Sequence, residues 1–383
     1  MVAAVRRGRS LRQVARDFDV GLFTVQRWVG RAHGCRLDDV PWADRSSRPR
    51  RTSRTLRPLE DLVLQVRQEL RDTSDLGEFG AAVIRAELLA RDLVGVPSVR
   101  TVGRILERRG VLDARRRVRR PPPPRGWYLP AVARGDAELE SVDIIEGLYI
   151  RGGPHVEVIN LLSFHGGVVA SWPTSRVTAK TVVDALVEHW RALGLPTYVQ
   201  FDNDAIFQGP HHHRDSIGRV TRLCLSLGVI PVFAPPREPG FQAAIESFNG
   251  RWQAKVWARS WHDSLASVQQ QSARYVNALR RRAATRTDTA PARRPIPSGW
   301  TLDLQVPPRG VLIYLRRTTE RGAVHLLGRT FDVDPSWPFR LVRCEVHLDA
   351  GYLRCYALRR RQPDQQPLLA EIPYALPRRR FYE

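Results

Sequence analysis

The sequence predicts a multidomain protein: α-helical helix-turn-helix modules at the N-terminus, an α/β core, and a small all-β domain at the C-terminus. Three observations carry this. Apolar residues recur at helical spacing as far as residue 112. An arginine- and proline-rich stretch, DARRRVRRPPPPRGWYLP at 113–130, then interrupts the pattern. Beyond it, strand-like runs alternate with helical ones to residue 284, and after residue 298 only strand-like runs remain.

Residues 1–43 make the first module. In RSLRQVARDFDVGLFTVQRWVGRA, Ser10 is an N-cap, and Leu11, Val14, Ala15 and Phe18 share one apolar face. Asp19, Val20 and Gly21 make the turn, and Thr24, Val25, Trp28 and Val29 belong to a second helix. That helix would present Leu22, Thr24, Gln26 and Arg27 to a DNA major groove; a plain helical hairpin without DNA contact is the alternative. A basic linker, 44–58, leads to a second helix-turn-helix or winged-helix-like unit at 59–112. There Leu59, Leu62, Val63, Val66 and Leu70 are helically spaced, and AAVIRAELLARDL gives another helix. A third helix starts at an N-cap, Ser98, and stops at Gly110, with Arg100 and Arg104 as its candidate DNA contacts. The linker at 113–135 has polyproline geometry across prolines 121–124, and its arginines could track phosphates or serve as a solvated tether.

The α/β core spans 136–284. ELESVDIIEGLYI, PHVEVINLLSF and GGVVASWP read as three successive strands, and TAKTVVDALVEHWRALG as a helix ending at Gly194. PTYVQF is a fourth strand delivering Asp202, RDSIGRVTRLCLSLG a helix, and VIPVFA a fifth strand. After the loop PPREPG, Ile245, Phe248, Trp252 and Val256 recur at helical spacing around Glu246, and 263–284 adds one more helix. The order β-β-β-α-β-α-β-α is ribonuclease-H-like. A linker at 285–298 precedes residues 299–383, whose evenly spaced strands suggest a β-barrel-like domain.

Composition narrows the partners. The net charge of +22 and pI of 11.1 favour a polyanion such as nucleic acid. Only Lys180 and Lys255 are lysines, so a GC-rich genome inflating arginine use is the competing explanation. Four scattered cysteines without a C-x-x-C pair indicate neither a disulfide framework nor a zinc site. No apolar run reaches the roughly 18–20 residues that span a bilayer, and MVAAVRRGRSLRQ lacks a signal-peptide core. The expectation is a cytoplasmic protein with no membrane partner. His211, His212 and His213 invite a zinc reading, against which stands an ordinary exposed loop.

Three acidic residues sit in arranged settings: Asp143 in SVDIIEGLYI, Asp202 in YVQFDNDAIF, and Glu246 in FQAAIESFNGRWQ. Carboxylates in buried strands are costly unless something pairs with them. Three converging would make a hard, oxygen-rich site suited to Mg²⁺ or Mn²⁺. Asp136 and Glu140 compete with Asp143, whose flanks Val142 and Ile144 favour it.

The order strand-Asp, then D-N-D-x-x-F, then P-P-R-E-P-G-F-Q-x-x-x-E-x-F-N resembles the catalytic core of retroviral-integrase-superfamily transposases. More narrowly, it is similar to bacterial insertion-sequence transposases with an integrase core. The resemblance covers the middle third of the chain. It implies a D-D-E triad in which Asp143 bridges two Mg²⁺ or Mn²⁺ ions, Asp202 binds one and Glu246 the other. It further implies binding of transposon terminal inverted repeats, then strand cleavage and transfer into target DNA without a nucleotide cofactor. Relatives work as homo-oligomers, so at least a dimer on DNA is expected. Asn203 would fix the turn that aims Asp202, and Asn249, one helical turn beyond Glu246, would orient a phosphate or carboxylate. Relatives carry a basic residue four or seven positions after the Glu that grips the transposon end; here those positions are Gly250 and Gln253, and Arg251 and Lys255 close by are the candidate substitutes, though they face differently. Asp204 stands where many relatives have Gly, and QGPHHHRDS lengthens the run from Asp202 to Glu246. A DNA-binding regulator or relic transposase, and a structure-selective nuclease, are the other readings.

Overall fold

The computed structural model describes residues 1–43, 55–112, 126–210, 213–238, 240–360, 362–377 and 380–381. Most of the basic linker, prolines 121–124, His211 and His212 lie outside the described residues. The chain divides into two compact units, 1–60 and 61–383.

In the first unit, α1 (Val2–Arg6), α2 (Leu11–Asp17) and α3 (Leu22–Arg31) pack around Ala4, Val14, Ala15 and Val25. Ser10 Oγ accepts from the Gln13 N–H at 3.3 Å, capping α2. Asp19 takes a positive φ of 49° in the turn to α3. Gln26 and Arg27 are exposed, but Leu22 and Thr24 are only half-exposed. Leu22 lies one turn before buried Val25, and Thr24 one turn before half-buried Trp28, so both flank the packed face.

The second unit takes in most of α4 (Arg57–Thr73), then α5 (Ala81–Ala90) and α6 (Val99–Arg108), whose shared core is Val63, Val66, Ile84, Leu88, Val102, Ile105 and Leu106. Ser98 Oγ accepts from the Thr101 N–H at 3.2 Å and caps α6, on which Arg100 and Arg104 are exposed. Among the described residues of 55–112 no strand forms a wing. Of the stretch 113–135 expected as linker, the described residues 126–135 are built into the core instead. Trp127, Tyr128 and Leu129, with α7 (Pro130–Arg134), bury their side chains against Phe241, Ile313 and Leu315. Four bulky apolar groups in a row of six residues gain too much from burial to stay in a tether.

β1 (Leu139–Tyr149), β2 (His155–Ser163) and β3 (Val169–Thr174) form an antiparallel meander. α8 (Ala179–Leu193) follows, started by a Thr178–Thr181 capping box. β4 (Tyr198–Phe201) lies parallel to β1, and after α9 (Ala205–Gln208) and α10 (Arg219–Ser226), β5 (Ile230–Phe233) lies parallel to β4. The order β3-β2-β1-β4-β5 is that of a ribonuclease-H-like sheet. α11 (Ala243–Trp252) runs into a π-helical turn (Gln253–Trp257), and α12 (Leu265–Asp288) continues past the residue 284 expected as its end.

The C-terminal strands do not form the separate barrel expected. β6 (Val311–Arg317) pairs in parallel with β5, and a hairpin of β7 (Ala323–Leu326) and β8 (Arg329–Asp332) forms its own two-stranded sheet, with Val324, Leu326 and Phe331 packed into the main core. β9 (Leu341–His347), β10 (Tyr352–Ala357) and β11 (Leu368–Pro373) then extend the main sheet to nine strands. The physical reason lies in β5. Val232 and Phe233 are buried on opposite faces, so its outer edge is deep in apolar surroundings and its peptide groups need a partner. β6 supplies it, with Phe233 and Tyr314 stacked at 4.9 Å.

Candidate active site

Strand alternation divides β1. Val142 points into the core beneath α8, while Ile145 packs with Ile245, Phe248 and Trp252 of α11. Asp143 shares the face of Ile145 and so meets α11. Directly opposite on β2 stands Asn160, fully buried. α11 buries Ile245, Phe248 and Trp252, and Trp252 Nε1–H donates to Ser272 Oγ on α12 at 2.9 Å. Helical spacing leaves Glu246 and Asn249 on one flank. Asn249 Nδ2 donates to Asp143 Oδ2 at 2.8 Å, and Asn160 Nδ2 donates to Asn249 Oδ1 at 2.9 Å. Glu246 itself is exposed.

Burial pushes the Asp143 carboxyl up to about 6. The negative charges of Asp202 and Glu246 add to that rise, while the Ile144 N–H and the Asn249 amide oppose it. The three acidic residues are thus electrostatic neighbours. Asp136 is exposed and paired with Arg134, and Glu140 lies within the sheet against His189 Nε2 (2.9 Å), Trp190 Nε1 (2.8 Å) and Arg293 (2.7 Å). Neither belongs to the group around Asp143.

Asp202 follows the last residue of β4. Its Oδ1 accepts from the Asp204 N–H at 2.9 Å, and Asp204 Oδ1 accepts from the Ile206 N–H at 2.7 Å, capping α9. Asp204 therefore shapes the turn. Asn203 Nδ2 donates to the Ala234 carbonyl at 2.6 Å, and its Oδ1 accepts from Gln208 Nε2 and Arg316 Nη2, both at 2.9 Å. Asn160, Gln208 and Arg316 escaped the sequence reading. For Asn160 and Arg316 the signal was polarity in the wrong place, an Asn within VEVINLL and an Arg ending the apolar run VLIYLR, while Gln208 carried none.

Two further candidates lie elsewhere. Arg251 is exposed, its Nε donating back to the Ser247 carbonyl at 3.2 Å. Lys255, on the π-helical turn, donates to the Gly77 carbonyl at 2.8 Å and sits over the Phe79 ring. Arg259 reaches the Ser74 and Arg71 carbonyls at 2.5 and 2.9 Å, so this turn grips the loop between α4 and α5. The Lys255 ammonium is engaged there rather than at Asp143.

The donor chemistry around Asp143 suits a hard divalent cation: carboxylate oxygens, with the Asn160 Oδ1 buried and lacking a hydrogen-bond partner. Among the described residues, however, no three His, Cys, Asp or Glu side chains gather tightly enough to hold an ion as they stand. Neither does any helix among them have the length and apolarity to cross a membrane.

No family model matches this chain, and no curated protein does. Solved structures similar to it include the catalytic core domain of BIV integrase, 16% identical over 35% of this chain and 79% of that one, with a TM-score of 0.28. The HTLV-2 integrase catalytic core domain in complex with magnesium, in its trimeric form, is 13% identical over 35% and 80%, with a TM-score of 0.27. The simian T-cell lymphotropic virus intasome in complex with PP2A regulatory subunit B56 gamma is 14% identical over 76% and 92%, with a TM-score of 0.34. Likenesses this slight carry no argument about chemistry, which has to come from the side chains of this chain itself.

Proposed function

We propose that this chain is a transposase or integrase-type polynucleotidyl transferase, binding transposon terminal inverted repeats and cleaving and transferring DNA strands. One observation carries the reading: the carboxyl of Asp143, at the centre of a ribonuclease-H-like sheet, feels both Asp202 and Glu246. Close like charges raise each other's proton affinity and persist where a cation or proton offsets them. Asp143, Asp202 and Glu246 would hold Mg²⁺ or Mn²⁺, two ions in all. When bound, such ions activate the attacking oxygen and neutralise the leaving 3′-oxygen of a phosphodiester.

The chain's own residues supply position. Asn249 and the Ile144 N–H hold the Asp143 carboxylate, and the turn at Asn203 and Asp204 fixes Asp202. The net charge of +22 suits a phosphate backbone, and the exposed Gln26, Arg27, Arg100 and Arg104 are candidates for DNA contact. Paired transposon ends call for at least a dimer.

The test is a cleavage and joining assay with labelled ends of the element and a supercoiled target, in Mg²⁺ or Mn²⁺. Metal-dependent nicked and joined products from wild type, and DNA binding alone from Asp202→Asn, are expected. A second reading, DNA binding without chemistry, is favoured by the exposed Glu246 and the ungathered carboxylates. It takes over if wild type binds the ends but cuts them in neither Mg²⁺ nor Mn²⁺.

A further inference from the structure

We propose that Arg316, on the C-terminal strand β6, is a positioning residue for the Asp202 carboxylate, acting through Asn203; this rests on the functional reading above. Arg316 is only 8% exposed, in a strand whose neighbours Leu312, Ile313, Tyr314 and Leu315 are buried and apolar or aromatic. Burying a guanidinium is costly unless its donors are satisfied. Here they meet four neutral oxygens. Nε donates to the His325 carbonyl at 3.2 Å, Nη1 to the Leu315 and Ala234 carbonyls at 2.9 and 3.3 Å, and Nη2 to Asn203 Oδ1 at 2.9 Å. Packing alone would be met by methionine or leucine.

What the charged fork adds is a connection between chain segments. The Ala234 carbonyl, just past β5, accepts from both Arg316 and Asn203 Nδ2. Asn203 Oδ1 accepts from both Arg316 and Gln208 Nε2. The Asn203 amide is therefore locked at both ends, which fixes the backbone bearing Asp202 on one side and Asp204 on the other. Asp204 in turn donates its N–H to the Asp202 carboxylate. A planar guanidinium holds this geometry with two nitrogens at set angles, and a lysine ammonium reproduces only part of it. The consequence is that residues over a hundred positions downstream of Asp202 help to aim it. The C-terminal strands are then part of the reaction centre, beyond any role in holding DNA.

The experiment uses the full chain with Arg316→Lys, Arg316→Met and Asp202→Asn, reading free Mn²⁺ by electron paramagnetic resonance without DNA, beside end binding and Mn²⁺-dependent nicking. Residues that orient metal ligands typically change affinity by about 10–100-fold. Arg316→Met is expected to weaken Mn²⁺ binding by about tenfold or more, with nicking shifted to higher Mn²⁺ and end binding unchanged. Arg316→Lys should recover part of the loss. If Arg316→Met does not fold, Gln208→Met removes the other donor to the same Asn203 oxygen and should weaken Mn²⁺ in the same direction. Folded variants with wild-type Mn²⁺ affinity and nicking, beside a wild type that binds Mn²⁺ and an Asp202→Asn that does not, overturn this inference alone. A wild type that binds no Mn²⁺ overturns the reading of the carboxylates, and this inference with it.

Discussion

Asp143→Asn should make the metal-free protein more stable at neutral pH, although the functional reading makes it inactive. The carboxyl's ordinary value is 3.8, and burial and its acidic neighbours raise it to about 6. Between those values the folded chain keeps a proton that the unfolded chain gives up. Stability therefore falls as pH rises through this window, and the loss is complete above it. At 1.36 kcal/mol per unit the deficit comes to about 3 kcal/mol. Asparagine cannot ionise, and the rise to about 6 is already net of the Asn249 hydrogen bond, so the expected gain is about 3 kcal/mol at pH 7.5. At pH 4 the gain should vanish, because the folded protein already holds Asp143 protonated. Urea unfolding in EDTA at both pH values measures this, and comparing variant with wild type cancels the other titrating groups. Adding Mn²⁺ should then stabilise wild type and not the variant. A gain of equal size at both pH values, or a less stable variant at pH 7.5, would refute the account of Asp143 as a carboxylate held in its ionised form at a cost.

The opposite sign is expected at Glu140. Burial alone would raise its carboxyl, but His189, Arg293 and the Trp190 N–H together bring it down to about 2. Its contribution is in place above pH ~4.5 and fades as pH falls towards 2. Glu140→Gln, which strands His189 and Arg293, should cost about 3–5 kcal/mol in urea unfolding at pH 7. Trp252→Ala removes a fully buried indole between α11 and α12 and should cost about 3–5 kcal/mol, with weaker Mn²⁺ binding as α11 loosens. Ser98→Ala, which loses the α6 cap, should cost only about 1 kcal/mol and leave metal binding intact. A chain ended at Ser298 should aggregate without cooperative unfolding, since it bares the β5 edge; a soluble, cooperatively unfolding product would show that the C-terminal strands are dispensable to the sheet.

What could be read from the sequence was whatever local pattern decides. Alternation found β1 to β3, helical spacing found α8 and the segment carrying Glu246, and Ser10 and Ser98 announced their helices because a cap acts within three residues. Harder to see was anything decided by a distant partner. VLIYLRR reads as a strand in a barrel or in a shared sheet alike, and only the buried edge of β5 makes the choice. Trp127 and Tyr128 look like the tail of a proline tether until Phe241 is there to receive them. Lys255, a candidate substitute for the basic residue that grips the DNA end although it faces differently, is engaged elsewhere by the Gly77 carbonyl from a π-helical turn that its spacing does not announce. The same holds within the candidate site. Asp143 announces itself because charge in an apolar strand is conspicuous, whereas Asn160 and Arg316 matter only through distant partners, Asp143 and Asn249 for the one and Asn203 for the other. Side chains that hold reacting groups in place are chosen by long-range pairing, so they are the part of a site that a sequence states least directly.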